Sequence, residues 1–159
     1  MDCGSDRDFQ VFLNFRGPDS RHTVVDVLRE ALIRAGFRVF YDDEEIRKGE
    51  EIEGKLLSAI TNSRIYITIF SKDYASSKWC LRELAKMMEC QKNSSGKTKK
   101  VILPVFYDVE VSDIKLRSQL YVNALKNHKK ELGEAAVMPW EDALKDAAKI
   151  KGWNLKDHG

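Results

Sequence analysis

Two residues four positions apart, Trp79 and Glu83, offer the clearest chemistry in this chain. On a helix that spacing is about one turn, so an indole and a carboxylate can meet. Together they would give a planar ring a stacking surface beside an acid. Leu81, Leu84, Ala85 and Met88 form the apolar stripe of the same stretch, which predicts Trp79 and Glu83 on the opposite side of the helix. A tryptophan facing outward is unusual unless something covers it. The plainer alternative on residue types alone is an indole packed under a neighbouring loop beside a solvated acid. Upstream, Arg16 and Gly17 suit a phosphate, because the guanidinium offers paired donors and glycine admits a ligand close to the backbone. A turn contact between Arg16 and Asp19 would account for the same pair.

Other chemistries find no support. Asp42 and Asp43 resemble half of a phosphoacceptor pocket, but such a pocket takes its acids after the first and third strands. Asn14 and Ser71 stand at those places. The glycine patterns of dinucleotide and P-loop sites are missing. His22, His128 and His158 lack the partners of a nucleophilic triad and read as surface histidines. No cysteine pair has zinc-ligand spacing with a histidine, so no metal site is expected.

The elements that must position these residues alternate short apolar runs with helical periodicity, as in a parallel sheet wrapped by helices. Strands are predicted at Phe9–Phe15, Phe37–Tyr41, Arg64–Phe70 and Val101–Tyr107. Between the first two, Val24, Val27, Leu28, Ala31, Leu32 and Ala35 fall at helical spacing, and Gly36 ends the helix. Ile52, Leu56, Ala59 and Ile60 mark a second helix, and a third runs from near Trp79 to about Cys90. Short helices are expected from Ser112 and over Tyr121–Leu132. A last helix is expected to carry Pro139 in its first turn and to stop at Gly152. A fifth strand near Ala135–Met138 has only a weak signal. In open sheets of this class ligands bind beyond the carboxyl ends of the strands, where Arg16, the loop Asp42–Gly49, and the serine loop before Trp79 all fall.

The chain has 159 residues, 43% hydrophobic and 33% charged, with formal charge +2. That suits one globular domain and gives no bulk electrostatic reason to expect nucleic acid or anionic membrane. The clusters Lys97–Lys100 and Lys126–Lys130 read mainly as solvated faces. The acidic N-terminus is no signal peptide, Asp2 excludes simple myristoylation, and no apolar run can span a bilayer. Cys80 and Cys90 sit ten positions apart on one helix, about 15 Å, beyond the roughly 7 Å reach of a disulfide. A reducing compartment, cytoplasmic or nuclear, is the expected setting.

Five ordered motifs then resemble one family. These are Asp8-Phe-Gln-Val-Phe-Leu-Asn-Phe-Arg-Gly-Pro-Asp-Ser-Arg21, Tyr41-Asp-Asp-Glu-Glu-Ile-Arg-Lys-Gly49, Tyr74-Ala-Ser-Ser-Lys-Trp-Cys-Leu-Arg-Glu-Leu84, Ile102-Leu-Pro-Val-Phe-Tyr-Asp-Val109 and Lys151-Gly-Trp153. They are similar to motifs of the TIR (Toll/interleukin-1 receptor) domain of plant nucleotide-binding leucine-rich-repeat disease-resistance proteins, such as the flax rust-resistance group. The resemblance implies a TIR domain over residues 8–155, with tails at 1–7 and 156–159. It implies an α/β, flavodoxin-like parallel sheet of four to five strands in the order 2-1-3-4-5, flanked by helices.

The implied function is cleavage of NAD⁺ (or NADP⁺) on self-association, releasing nicotinamide and ADP-ribose-type signals that trigger defence and cell death. NAD⁺ is then the substrate, and no cofactor or metal is required. Glu83 takes the catalytic position; Trp79 stacks on the substrate; Phe15, Arg16 and Gly17 line the pocket; Ile46, Arg47, Lys48 and Gly49 lie on a mobile loop. Three places depart from the family pattern: Asp26-Val27 in the first helix, Glu110-Val-Ser-Asp113 after the fourth strand, and Gln119 where a glycine is usual. The implied partners are further TIR copies. Two rival functions remain: a non-catalytic adaptor on the same fold, and a nucleic-acid-binding cyclic-nucleotide synthetase.

Overall fold

A computed structural model describes residues 10–17, 24–41 and 51–155, with side chains from residue 56 onward in the last segment. Five parallel strands form one sheet: β1 (Gln10–Asn14), β2 (Arg38–Tyr41), β3 (Ile65–Phe70), β4 (Val101–Tyr107) and β5 (Trp153–Leu155). Their order is β2-β1-β3-β4-β5, as the resemblance implies. The helices are α1 (Asp26–Arg34), α2 (Glu51–Asn62), α3 (Lys78–Lys92), α4 (Val111–Ile114), α5 (Gln119–Leu132) and α6 (Glu134–Ala148).

Side chains alternate across the sheet and divide the core into two layers. Phe12, Tyr66, Phe70, Ile102 and Phe106 face a large layer built with α2, α3, α5 and α6. Val11, Leu13, Phe15, Ile67, Ile69 and Val105 face the other side, where α1 packs. Helix α3 carries the larger layer: Leu81, Leu84, Met87 and Met88 are buried, each contributing about 1.5–3 kcal/mol. Its start is fixed by Ser77, whose Oγ accepts from the Cys80 N–H at 3.2 Å, an N-cap worth about 1 kcal/mol.

Two sequence expectations are corrected here. Ala135–Met138 is not a strand but the first turn of α6, which begins directly after Gly133 at φ +92°. Pro139 therefore lies inside α6, which ends at Ala148 rather than Gly152. Burial of Val137 and Trp140 on either side anchors this helix, so packing overrides the lost N–H of the proline. The fifth strand instead follows Gly152, whose Cβ, if it had one, would stand 2.4 Å from the Pro104 carbonyl oxygen. Only glycine lets β5 approach β4 this closely.

The apolar stripe of α1 is also only partly used. Leu28 and Leu32 are half-buried, while Val27 is 71% exposed and Ala31 and Ala35 are exposed. Among the described residues, α1 alone covers that side of the sheet, so part of the stripe borders an open groove. In the segment after β4, Glu110 and Asp113 form a capping box for α4. The departure from the family pattern thus keeps a working cap.

Candidate active site

The carboxyl ends of β1 and β3 and the first two turns of α3 converge on Glu83. Its side chain is 5% exposed, among Cys80, Leu84 and Met87. This corrects the expectation of an outward-facing acid. Glu83 lies three residues after Cys80 and four before Met87, so it belongs to the buried arc of α3, which is wider than the stripe of Leu81, Leu84, Ala85 and Met88. Pattern reading assigns a lone carboxylate to solvent by default; here a buried polar partner holds it inside. One such partner is Asn14, whose Nδ2 donates to Glu83 Oε1 at 3.0 Å.

Trp79, one turn earlier, is half-buried. It borders a small recess of about 40 Å³ together with Glu83, Leu56, Leu57, Ile60, Arg82 and Lys86. The acid and the indole therefore line one recess between α2 and α3. Arg82 and Lys78 approach the indole ring, 5.0 and 5.5 Å from its centroid. Such a volume holds about one water molecule.

Phe15 is placed differently from expectation. By alternation its ring turns to the α1 side, 5% exposed and 5.8 Å from the Tyr41 ring. Its carbonyl faces α3, where Cys80 Sγ donates to it at 3.3 Å. On the Glu83 side Phe15 thus offers main chain rather than a ring. Arg16 and Gly17 follow at the tip of β1, both half-buried, but they are not walls of the recess. Asp19 and the loop residues Asp42, Asp43, Ile46, Arg47, Lys48 and Gly49 lie outside the described residues.

The loop between β3 and α3 is held from behind by α5. Tyr121 Oη donates to the Ser71 carbonyl at 2.7 Å, and the His128 Nε2–H donates to the Ala75 carbonyl at 2.9 Å. His128 is therefore not a surface histidine; it is 8% exposed, edge-on to Trp140. Nothing in its sequence spacing marked it, because its partner is a main-chain carbonyl far away in the chain. The Lys97–Lys100 cluster is partly structural as well. Lys100 Nζ donates to the Thr61 carbonyl at 2.6 Å and also to that of Ser63, satisfying carbonyls at the end of α2. Partial burial draws the Lys100 ammonium below the ordinary lysine range.

A much larger cavity, about 790 Å³, lies on the α1 side. Val24, Val27, Leu28, Leu103, Val105 and Trp153 are among its walls. Its lining among the described residues is almost wholly hydrocarbon and carries no acid. Among the described residues no cluster of histidine, cysteine and carboxylate could hold a metal ion. No described helix is long and apolar enough to cross a membrane.

Comparison with known proteins agrees with this architecture. The profile of the TIR domain family matches residues 8–158. Disease resistance protein RPV1 of Vitis rotundifolia is 40% identical over 149 residues, covering 94% of this chain and 10% of that protein. TMV resistance protein N of Nicotiana glutinosa is 37% identical over 146 residues, 91% of this chain and 12% of that protein. The chain thus spans about a tenth of the length of these relatives. A Brachypodium distachyon protein named probable 2′ cyclic ADP-D-ribose synthase BdTIR is 38% identical over 114 residues, 72% of this chain and 47% of its own length. Among solved structures, the TIR domains of the activated Roq1 resistosome, which directly recognizes the pathogen effector XopQ, superpose with a TM-score of 0.80. They share 39% identity and cover 93% of this chain and 88% of theirs. The chain belongs to the TIR domain family, and its relatives there include plant disease resistance proteins.

Proposed function

We propose that this TIR domain cleaves the nicotinamide–ribose bond of NAD⁺ when copies of it associate, with Glu83 as the catalytic carboxylate. The observation that carries the reading is an acid, 5% exposed and gripped by Asn14, beside an indole at the carboxyl end of a parallel sheet. A solvated surface acid would need neither the burial nor the partner. The likeness to a protein named as a probable 2′ cyclic ADP-D-ribose synthase supports the same substrate class.

The chemistry suits a carboxylate. As the glycosidic bond breaks, its electron pair leaves with nicotinamide, which becomes neutral, and positive charge builds on the ribose. A carboxylate close to that carbon stabilises the charge, an electrostatic effect stronger in a water-poor site than in bulk solvent. Water then adds to the ribose carbon and loses a proton, giving ADP-ribose; attack by a hydroxyl of the same molecule gives a cyclic product instead. Trp79 supplies the stacking surface. Arg16 and Gly17, with the Phe15 main chain, are assigned to the substrate's pyrophosphate side, and Ile46, Arg47, Lys48 and Gly49 to the opposite wall.

The recess beside Glu83 admits about one water and not a dinucleotide. Association is therefore assigned the role of opening the site to the dinucleotide. The test is product analysis of NAD⁺ incubated with concentrated wild type and Glu83→Ala. Nicotinamide release should fall by about 100-fold or more in the variant, with its circular dichroism unchanged. A folded variant with full activity removes Glu83 from the mechanism, and a wild type inactive at every concentration favours the adaptor. Light scattering over a concentration series should show a rising mass; a constant monomer counts against activation by assembly.

A further inference from the structure

Asn14 is fully buried at the carboxyl end of β1, on the same face as Phe12, and its amide is used in full. One Nδ2 hydrogen goes to Glu83 Oε1 at 3.0 Å and the other to the Cys80 carbonyl at 3.3 Å. Its Oδ1 accepts from two hydroxyls, those of Thr68 and Tyr74. An asparagine side chain has two donors and two acceptor sites, so all four of its positions are filled. This fixes which way the amide points. Turned over, it would set its oxygen against the carboxylate and take away the acceptor that both hydroxyls share.

Each part of the clamp is itself held. Thr68 stands opposite Asn14 in the β1–β3 register. The Tyr74 ring is stacked on Tyr121, centroids 6.2 Å apart, and packed edge-on against Phe70 at 5.0 Å. Burial above all, and then the nearby Cys80, hold the Tyr74 phenol well above its ordinary range. It is therefore a protonated donor at any pH the domain would meet.

We propose that Asn14 is the positioning residue of this site. Pinned by Thr68 and Tyr74, its amide aims the Glu83 carboxylate and couples it to the packing of α5 behind the β3–α3 loop. The inference rests on the reading of Glu83 as the catalytic carboxylate. Without this contact the carboxylate samples more orientations about its three side-chain torsions, so the loss should fall on kcat rather than on substrate binding.

The experiment takes the 159-residue chain through NAD⁺ kinetics as wild type, Asn14→Ala, Asn14→Ser, Thr68→Val, Tyr74→Phe and Glu83→Ala. Asn14→Ala should lower kcat by about 10- to 100-fold with KM changed less than about 3-fold, and Asn14→Ser, which restores one donor, should recover part of it. Thr68→Val and Tyr74→Phe each leave Asn14 in place and should lower kcat by a smaller factor, which keeps the idea testable if Asn14→Ala does not fold. The contact is read independently of turnover by nuclear magnetic resonance of the Asn14 side-chain amide. One of its two proton signals should move in Glu83→Ala.

Identical Asn14 amide signals in wild type and Glu83→Ala overturn the contact. Wild-type kcat in a folded Asn14→Ala, with activity lost in Glu83→Ala, overturns the positioning role alone. Full activity in Glu83→Ala overturns the catalytic reading and this inference with it.

Discussion

The Arg82 guanidinium lies over the Trp79 indole, its Cζ 5.0 Å from the ring centroid. One helix thus presents the indole with a cation on its face, beside the recess that Glu83 borders. A cation in this position on a partly exposed ring stabilises it by about 0.5–1 kcal/mol. A substrate ring that stacks on Trp79 from that face must displace it.

Removing the Arg82 guanidinium should therefore free the part of the ring that it covers. Arg82→Ala is expected to lower KM for NAD⁺ by about 2- to 5-fold with kcat unchanged, the factor that corresponds to that cation–ring energy. Initial-rate kinetics over a concentration series would show it. A clear rise in KM would instead assign Arg82 to the substrate's pyrophosphate.

At the sheet edge, the approach of Gly152 to Pro104 leaves no room for a methyl group. Gly152→Ala should destabilise the domain by about 1–3 kcal/mol through overpacking. The lesion should be local to β5, so exchange of the Asp108 amide, which donates to the Leu155 carbonyl at 2.8 Å, should speed up. Wild-type melting and wild-type exchange at Asp108 would contradict the placement of β5.

Asp113 works twice, accepting from the Glu110 N–H at 2.8 Å and from the Ser118 hydroxyl. Asp113→Ala should cost about 1–2 kcal/mol in urea unfolding. It should leave the rate of NAD⁺ cleavage at 25 °C unchanged, since α4 lies away from Glu83. An equal loss of activity in a stable variant would bring α4 into the site.

Alkaline pH should weaken the fold. Burial first, with Cys90 adding, pushes the Tyr66 phenol up, and burial first, with Cys80 adding, does the same for Tyr74, both from an ordinary value of 10.0. Below pH 10.0 both states hold these protons and stability is level; above it the unfolded chain releases them first, so stability falls as pH rises. The slope should approach about 1.4 kcal/mol per pH unit for each phenol. Lys100 acts oppositely: its lowered value gives a rise in stability only up to about the ordinary lysine range near 10.5. Urea midpoints between pH 9 and 11.5 would test this, and Tyr74→Phe should remove part of the slope; a flat profile would count against burial of both phenols.

Much of the scaffold is legible in the sequence. Val101–Tyr107 was placed residue for residue as a strand, because an apolar, β-branched run of seven bounded by polar residues has few other uses. The apolar stripe marks helix α3, and the likeness of five motifs implies the order of strands. The strand β5 was not legible. It has three residues, all exposed, and forms because Gly152 lets the chain close on Pro104, a contact 48 positions away.

The sequence by itself determined that an acid and an indole stand one helical turn apart on α3, and that this helix follows a buried strand. Only the tertiary structure decided that the acid faces inward. Asn14, Thr68 and Tyr74 come from β1, β3 and the loop beyond, and their mutual spacing exists only once parallel strands are in register. A carboxylate's burial depends on whether distant groups satisfy it, and periodicity along one helix carries no information about groups on another strand.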